Sequence, residues 1–212
     1  MTRIGVLALQ GDFREHMRAI VRLGGEARAV RLPADLDGLD GLIIPGGEST
    51  VIGKLMVEYS LDQPLRQAIA AGLPTWGTCA GMILLARETD NALLGQPLLA
   101  AMNVRVRRNA FGSQRESFET ALHIPALGDQ LYHAVFIRAP IVESVGAGVE
   151  VLARLDQPRD GADIVAVRQG SLLGSAFHPE VTDDLRFHDY FLGMARKAHF
   201  AGSFQLQHAE RA

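Results

Sequence analysis

Short apolar runs alternate with helically spaced apolar residues over the first 87 positions of the chain. The runs IGVLAL, GLIIPGG and LPTWG are typical of buried strands that end at a glycine turn. Between the first two runs, apolar residues recur at three- and four-residue spacing from Phe13 to Val21. We expect helices after an N-cap at Asp12, from about Thr50, from Gln63 to Ala71 and from Ala80 to Arg87. This alternation predicts an α/β fold with a mostly parallel sheet.

The second half of the chain has a different pattern, because strand-like runs follow one another without helices between them. These runs are NVRVRR, FETALHI, HAVFIRA, VEVLARL, IVAVRQG and LLGSAF. They predict an antiparallel or mixed edge of the sheet. A closing helix is expected from Val181 to His199, with Thr182 as its N-cap. We therefore expect a single domain over residues 1–200 and a flexible tail over residues 201–212.

Composition excludes several classes of protein. The chain has 212 residues, a net charge of −3 and scattered Lys and Arg, which argues against a nucleic-acid surface. No apolar run approaches the roughly 20 residues that cross a bilayer, so no membrane partner is expected. The opening segment MTRIGVLALQGD predicts a strand rather than a signal peptide. One cysteine cannot form an internal disulfide, so a cytoplasmic location is expected.

That single cysteine, Cys79, lies in the segment GTCAG between a predicted strand and a predicted helix. Gly-x-nucleophile-x-Gly in this context is the pattern of a nucleophile elbow, with Cys where hydrolases carry Ser. Small neighbours permit the tight turn, and the N-terminus of the next helix favours a thiolate and an oxyanion. The alternative interpretation is an inert buried thiol.

A cysteine nucleophile needs a base and a group that orients the base. The segment SAFHPEV offers His178 and Glu180, two positions apart and so on the same side of an extended segment. The alternative is a loop followed by a capped helix. We expect core or solvated roles for the other histidines, with no metal site: His16 on a predicted surface helix, His123, His133, His188, His199 and His208.

The segment PGGEST, from Pro45 to Thr50, follows the second predicted strand. Its two glycines would let backbone N–H groups face an anion or oxyanion. It lacks the lysine of a phosphate-binding loop, so nucleotide binding is poorly supported. A simple turn that caps the next helix is the alternative.

In this order, PGGES, GTCAG and HPE resemble the motifs of class I glutamine amidotransferases. Longer blocks resemble one branch of them, the glutaminase subunits of pyridoxal 5′-phosphate synthases. These blocks, between Ile4 and Asp184, are IGVLALQGDFREH, DGLIIPGGEST, GTCAGMILLA, RNAFGSQRESFE, VFIRAP and GSAFHPEVTDD. The resemblance implies a flavodoxin-like, open, mixed but mostly parallel sheet flanked by helices, with an antiparallel edge.

The resemblance also implies a role for each motif. Cys79 would attack the side-chain amide of L-glutamine, His178 would move the proton, and Glu180 would orient His178. Backbone N–H groups of Gly47 and Ala80 would form the oxyanion hole. The implied glutamine-binding residues are Gly46, Gly47, Glu48, Ser49, Arg108, Ile137 and Arg138.

A partner is implied as well. The glutaminase would pass ammonia to a synthase subunit that makes pyridoxal 5′-phosphate, within a large hetero-oligomer. This chain would need no cofactor of its own. The segment LALQGDFREH would contact the synthase, with Gln10 near the ammonia exit; ordinary strand-to-helix packing is the alternative. Docking would turn the peptide of the Pro45–Gly47 loop.

Two other functions stay open at this point. A glutaminase that serves a different amidotransferase would carry the same elbow and HPE segment. A non-catalytic flavodoxin-like binding module, with Cys79 as a redox-sensitive thiol, would leave His178 and Glu180 without a role.

Overall fold

The computed structural model describes residues 1–90, 95–108, 110, 117–159 and 161–209, with only the backbone for residues 159 and 199–209. Most of the block RNAFGSQRESFE, namely residues 109 and 111–116, and the last residues of the predicted tail, 210–212, lie outside these ranges. The strands are β1 (Arg3–Leu7), β2 (Glu26–Val30), β3 (Gly41–Ile44), β4 (Thr75–Thr78), β5 (Ala86–Asp90), β6 (Met102–Arg107), β7 (Ser117–Leu122), β8 (Tyr132–Ile137), β9 (Ile141–Val145), β10 (Glu150–Arg159), β11 (Ala162–Gln169) and β12 (Leu172–Ser175).

The main sheet is mixed, and its order is β2-β1-β3-β4-β12-β11-β9-β6-β5, with β10 paired to β11. The pairs from β2 through β12 are parallel, and so is β5–β6. The pairs that involve β11 or β9 are antiparallel. Strands β7 and β8 form a separate antiparallel pair. The predicted fold class, a mostly parallel sheet with an antiparallel portion, is confirmed.

Helices flank this sheet. They are α1 (Phe13–Arg22), α2 (Ser49–Glu58), α3 (Asp62–Ala70), α4 (Ala80–Leu85) and α5 (Arg186–Ala209), and short 3-10 turns cover Pro33–Leu36, Pro125–Leu127 and Pro179–Val181. Among the helices described, none combines the length and the apolar character needed to cross a bilayer.

The closing helix differs from its prediction at both ends. It begins at Arg186 rather than Val181, because Pro179–Val181 forms a 3-10 turn and Thr182 is extended. Thr182 is therefore not its N-cap. The carboxylate of Asp184 instead accepts a hydrogen bond from the N–H of Arg186, at 3.1 Å. The backbone of α5 continues to Ala209, and the division of the chain at residue 200 stays a prediction.

Three strands were not predicted from the sequence, and one of them corrects a predicted helix. Strand β5 begins at Ala86, where the helix after the elbow was expected to continue to Arg87. Strands β2 and β9 were missed because charged residues such as Glu26 and Glu143 interrupt their apolar positions.

The core brings the last helix against the middle of the sheet. Trp76 in β4 is fully buried, and its ring centroid lies 5.2 Å from that of Phe187 and 5.6 Å from that of Phe191, both in α5. The carboxyl ends of β1, β3, β4 and β12 are adjacent because these strands are parallel neighbours. Ligands of open α/β sheets bind at such an edge, and the three motifs lie there.

Candidate active site

Cys79 lies between the end of β4 and the start of α4, and its backbone is strained. Its φ is 47° and its ψ is −104°, a conformation that costs a residue with a side chain on the order of 1–3 kcal/mol. The Cys79 N–H donates to the carbonyl oxygen of Ser175 at 2.7 Å, which anchors the turn to the end of β12. The thiol is 6% exposed. This geometry is that of a nucleophile elbow.

The flanking glycines are required by space. A Cβ on Gly77 would overlap the backbone of Gly81, and a Cβ on Gly81 would overlap the carbonyl oxygen of Ile44. Both neighbours are backbone and cannot rotate away. The elbow therefore packs closely against β3, which explains why the single cysteine is flanked by glycines.

His178 and Glu180 follow β12 and meet each other. His178 Nδ1 lies 2.7 Å from Glu180 Oε1, and the His178 N–H donates to the carbonyl oxygen of Val135 in β8 at 2.9 Å. The predicted extended geometry is wrong for Glu180, because Pro179–Val181 turns as a 3-10 helix. With Nδ1 directed at Glu180, Nε2 is the ring nitrogen that stays available to Cys79.

The charges of this cluster support one another. Burial opposes the imidazolium of His178, but the hydrogen bonds and charges of Cys79 and Glu180 outweigh it and raise the pKa of His178 to about 10. Burial acts to raise the pKa of Glu180, and the neighbouring His16 and His178 outweigh it and hold that pKa below its usual value. At neutral pH, Glu180 is therefore an anion next to an imidazolium.

The glycine loop after β3 faces the elbow. A Cβ on Gly46 would lie 2.5 Å from His178 Cε1 and 3.5 Å from Cys79 Cβ. Gly47 has φ 150°, a backbone conformation that other residues rarely adopt. Ala80, the first residue of α4, is buried beside Cys79.

Gln10 touches this loop directly. Its Oε1 accepts a hydrogen bond from the Glu48 N–H at 2.8 Å. A Cβ on Gly11 would overlap the carbonyl oxygen of Gly46. The segment after β1 therefore holds the glycine loop, and the predicted place of Gln10 at an ammonia exit stays a prediction.

A polar network leads away from the loop. Arg108 donates to Glu48 Oε1 and to Gln96 Oε1, both at 2.8 Å, and its side chain is 12% exposed. Gln96 donates in turn to Ser49 Oγ at 3.1 Å. Gln96 was not predicted from the sequence, because it lies in a loop without a motif.

Ile137 and Arg138 lie at the end of β8, the strand whose Val135 accepts the His178 N–H. Both are exposed at the end of β8, and Arg138 has φ 46°. The next residue, Ala139, accepts a hydrogen bond from the Ala110 N–H at 3.1 Å, so this turn lies beside the Arg108 segment.

His16 and His188 were also missed as members of the site. Neither histidine is exposed: α1 lies at the surface with Arg14, Arg18 and Val21 exposed, as predicted, and His16 is on its inner side. The buried face of α1 carries His16, Ala19 and Ile20. The spacing of His16 to Ile20, four positions, was the available signal.

One set of possible metal ligands occurs in the parts of the chain that are described. Ligand atoms of Asp12, His178 and Glu180 lie within 4.8 Å of one another. His178 and Glu180 already bond to each other, so the arrangement suits proton transfer.

The buried His188 predicts a stability that falls in acid. Burial first, then the charge of His16, lowers its pKa to about 3, whereas an unfolded histidine titrates near 6.5. The unfolded state therefore binds the proton more tightly, and stability is lost as pH falls from about 6.5 towards 3. We expect about 2 kcal/mol of this loss at pH 5 relative to pH 8.

In His188→Phe, the loss of unfolding free energy between pH 8 and pH 5 should be smaller by about 2 kcal/mol. Urea unfolding at both pH values measures it, with His133→Gln, at an exposed histidine of β8, as the control. An unchanged difference between pH 8 and pH 5 in His188→Phe would contradict the assignment.

Comparison with known proteins places this geometry in a family. Residues 6–197 match the family model described as the SNO glutamine amidotransferase family. A relative from Clavibacter michiganensis subsp. michiganensis, named "Pyridoxal 5'-phosphate synthase subunit PdxT", is 57% identical over 92% of this chain and 91% of its own length. A relative of the same name from Herpetosiphon aurantiacus is 56% identical over 90% of this chain and 99% of its own length.

Solved structures agree. One, described as "Crystal structure of glutamine amidotransferase", is 52% identical, has a TM-score of 0.82, and is matched over 91% of this chain and 98% of its own. The "Structure of PurLQS from Thermotoga maritima" is 17% identical with a TM-score of 0.64, matched over 91% of this chain and 98% of its own, and shares the fold alone. With a family match over most of its length and relatives above half identity, the chain belongs to the SNO glutamine amidotransferase family.

Proposed function

We propose that this chain hydrolyses L-glutamine to L-glutamate and ammonia as the glutaminase subunit of a pyridoxal 5′-phosphate synthase. The observation that carries the proposal is the cluster at the sheet edge, in which strained Cys79 and His178 both border Gly46 and His178 Nδ1 lies 2.7 Å from Glu180 Oε1. The relatives' name, at 57% identity over 92% of the chain, supports the pathway. The site supports amide hydrolysis because nucleophile, base and orienting group follow one another in contact.

The first step forms a thioester. The Cys79 sulfur, as thiolate, attacks Cδ of the glutamine side chain, and the carbonyl electrons move to oxygen. His178 Nε2 gives its proton to the leaving nitrogen, so ammonia departs and the carbonyl is restored. In the second step His178 takes a proton from water, hydroxide attacks the thioester, and Cys79 leaves as thiolate with glutamate as product.

The oxyanion of each tetrahedral intermediate needs fixed donors. We assign this role to the N–H groups of Gly47 and Ala80, since the Gly46–Gly47 loop and the first residue of α4 both border Cys79. Loss of one such donor typically lowers kcat by about 10²–10³-fold.

Glutamine itself would be held by the loop and the polar network beside it. A guanidinium binds a carboxylate through two hydrogen bonds, which suits Arg108 and the substrate α-carboxylate. Glu48 and Gln96 already hold the Arg108 side chain in place. The remaining assigned residues are Gly46, Gly47, Ser49, Ile137 and Arg138.

The partner is a synthase subunit that uses the ammonia, and the two would form a large hetero-oligomer in the cytoplasm. Gln10, which holds the glycine loop through the Glu48 N–H, lies on the segment assigned to the synthase contact. Docking of the synthase at this segment would act on the Gly46–Gly47 loop through the hydrogen bond that Gln10 accepts from the Glu48 N–H. We therefore expect the free glutaminase to be nearly silent.

The direct test is ammonia and glutamate release from L-glutamine by the chain, alone and with a pyridoxal 5′-phosphate synthase subunit. We expect equimolar products only with the synthase, together with pyridoxal 5′-phosphate when its sugar phosphates are supplied. Since the chain has one cysteine, prior alkylation with iodoacetamide is a matched control that blocks Cys79 alone among thiols. No release with the synthase would reject the proposal.

A glycine substitution tests the oxyanion loop. Gly47→Val should lower partner-stimulated turnover by about 10²–10³-fold, because φ of 150° strains a branched residue and its Cβ would lie 2.5 Å from Gln10 Oε1. Gly72→Val is the matched control, since Gly72 also has positive φ, 96°, but no atoms near its Cβ position. Wild-type turnover in Gly47→Val would exclude this loop from oxyanion binding.

A further inference from the structure

Two buried histidines from distant parts of the chain meet beneath the cluster. His16 Nδ1 of α1 lies 2.9 Å from His188 Nε2 of α5, and neither residue is exposed. The ring of Trp76 packs edge-on against both, with centroid distances of 5.6 Å to His16 and 5.0 Å to His188. Since water does not reach these rings, every polar atom on them depends on a protein partner.

His16 also reaches the carboxylate that orients His178. Its Nε2 lies 3.3 Å from Glu180 Oε2 and 3.3 Å from Thr78 Oγ1. The other oxygen, Oε1, lies 2.7 Å from His178 Nδ1. Among the described side chains, His16 is the one that places a nitrogen 3.3 Å from Oε2, a close electrostatic contact rather than a hydrogen bond. Glu180 therefore lies between two imidazoles, one on each oxygen.

The protons in this chain of rings can be assigned from their partners. His188 Nδ1 has no hydrogen-bond partner in the described structure. A bare acceptor nitrogen is tolerated there better than a buried N–H without an acceptor. The proton of His188 is thus on Nε2 and is donated to His16 Nδ1. His16 then carries its own proton on Nε2, which hydrogen-bonds Thr78 Oγ1 and lies 3.3 Å from Glu180 Oε2.

Both rings are neutral in this assignment. Burial is the main cause that lowers the pKa of His16 and of His188, the latter to about 3. A neutral ring with one donor and one acceptor fits each position, as in outer-shell contacts that fix the tautomer of a functional histidine.

We infer that His16, with its tautomer fixed by His188, is a positioning residue that holds the carboxylate of Glu180 so that Oε1 faces His178. The inference rests on the proposed function, in which Glu180 orients the base. His16 touches no reacting atom and acts through Glu180. It lies on α1, directly after the segment that contacts the glycine loop.

A pH profile is informative because the groups around Glu180 in the described structure can be named. Those in contact are His178 from its own segment, His16 and Asp12 from α1 and its N-cap, and Thr78 from β4, with His188 behind His16. Glu15, Arg18 and Arg22 of α1 and Asp183 line the pocket beside it. Removal of His16 takes away one of the groups that keep Glu180 ionised. Glu180 then protonates at a higher pH. The acid limb of the pH–activity profile, where activity falls as the pH is lowered, therefore moves to higher pH.

The test compares two substitutions at position 16 in the complex with the synthase. His16→Leu removes the donor and should lower kcat for glutamine hydrolysis by about 10-fold or more, with KM unchanged and the acid limb moved to higher pH. His16→Gln can place an amide N–H near the position of Nε2 and should retain most of kcat and the wild-type limb. Ile20→Val is the control, since Ile20 is buried one turn along the same helix; it should lower Tm without moving the limb.

Wild-type kcat and acid limb in His16→Leu would overturn the inference. If His16→Leu does not fold, His188→Leu takes its place, and wild-type values there would overturn it equally. The Nδ1 proton of His178, observed by NMR in the free chain, gives a readout without turnover: its resonance should be kept in His16→Gln and shifted in His16→Leu. If the wild-type chain releases no ammonia with the synthase, the proposed function fails, and this resonance still decides the role of His16.

Discussion

Replacement of Cys79 with alanine abolishes partner-dependent ammonia release, with an expected loss of at least about 10⁴-fold in kcat. The sulfur forms the thioester, and the chain has no second thiol to replace it. Alanine preserves the elbow, because the backbone hydrogen bond from residue 79 to the Ser175 carbonyl needs no side chain. Ala100 in the same chain has φ 53°, so alanine tolerates a positive φ like that of Cys79.

Binding and chemistry can be separated in this variant. Arg108 and Glu48 stay in place, so glutamine should still bind to the Cys79→Ala complex, as measured by calorimetry. Lost turnover with retained binding assigns Cys79 to the chemical step. Wild-type turnover would restore the interpretation of Cys79 as an inert buried thiol.

The sequence predicted the parts of the site that depend on local chemistry. Gly77 and Gly81 flank Cys79 because backbone atoms occupy the space of their missing side chains, and such constraints appear as a short motif. His178 and Glu180 are two positions apart, so their contact needs only a turn, although that turn is 3-10 rather than extended. Local constraints of this kind can be read without the fold.

Contacts between distant segments could not be predicted in the same way. His16 and His188 are 172 positions apart and meet only because α1 and α5 pack near β4. The apolar spacing of α1 suggested a face with Phe13, Met17, Ile20 and Val21; Ile20 is indeed buried, but Val21 is 60% exposed, and His16 is buried in its place. His16 can be buried because His188 and Thr78 bond its ring nitrogens. These partners are distant in the sequence and are brought to His16 only by the folded structure.

The same limit applies to Gln96 and to the missed strands. Gln96 gains its place from Arg108, which follows β6, and from Ser49, the first residue of α2. Strand β2 is an edge strand, with only Val30 fully buried, so its sequence EARAV has little apolar pattern. Positions whose role depends on tertiary neighbours carry little signal in the sequence.

The carboxylate of Glu180 predicts the second large effect, a loss of about 10⁴-fold in kcat on Glu180→Gln. An amide has one acceptor and one donor group, whereas Glu180 turns one carboxylate oxygen to each imidazole: Oε1 accepts from His178, and Oε2 lies 3.3 Å from His16 Nε2. If the amide oxygen faces His178, its NH₂ meets the N–H of His16. If the NH₂ faces His178 instead, Nδ1 must be unprotonated to accept its hydrogen bond. The ring proton is then on Nε2, so Nε2 cannot accept the proton of the Cys79 thiol.

The pH dependence separates this effect from simple unfolding. Glu180 is one of the groups that, against the opposing effect of burial, raise the pKa of His178 to about 10, so the amide should lower that pKa and NMR titration of the imidazole should show it. Glu119→Gln is the matched control, since Glu119 forms an exposed pair with His133 at the same 2.7 Å. A Glu180→Gln complex with wild-type kcat would show that His178 acts without an orienting carboxylate. The positioning of Glu180 by His16 would then have no effect on catalysis.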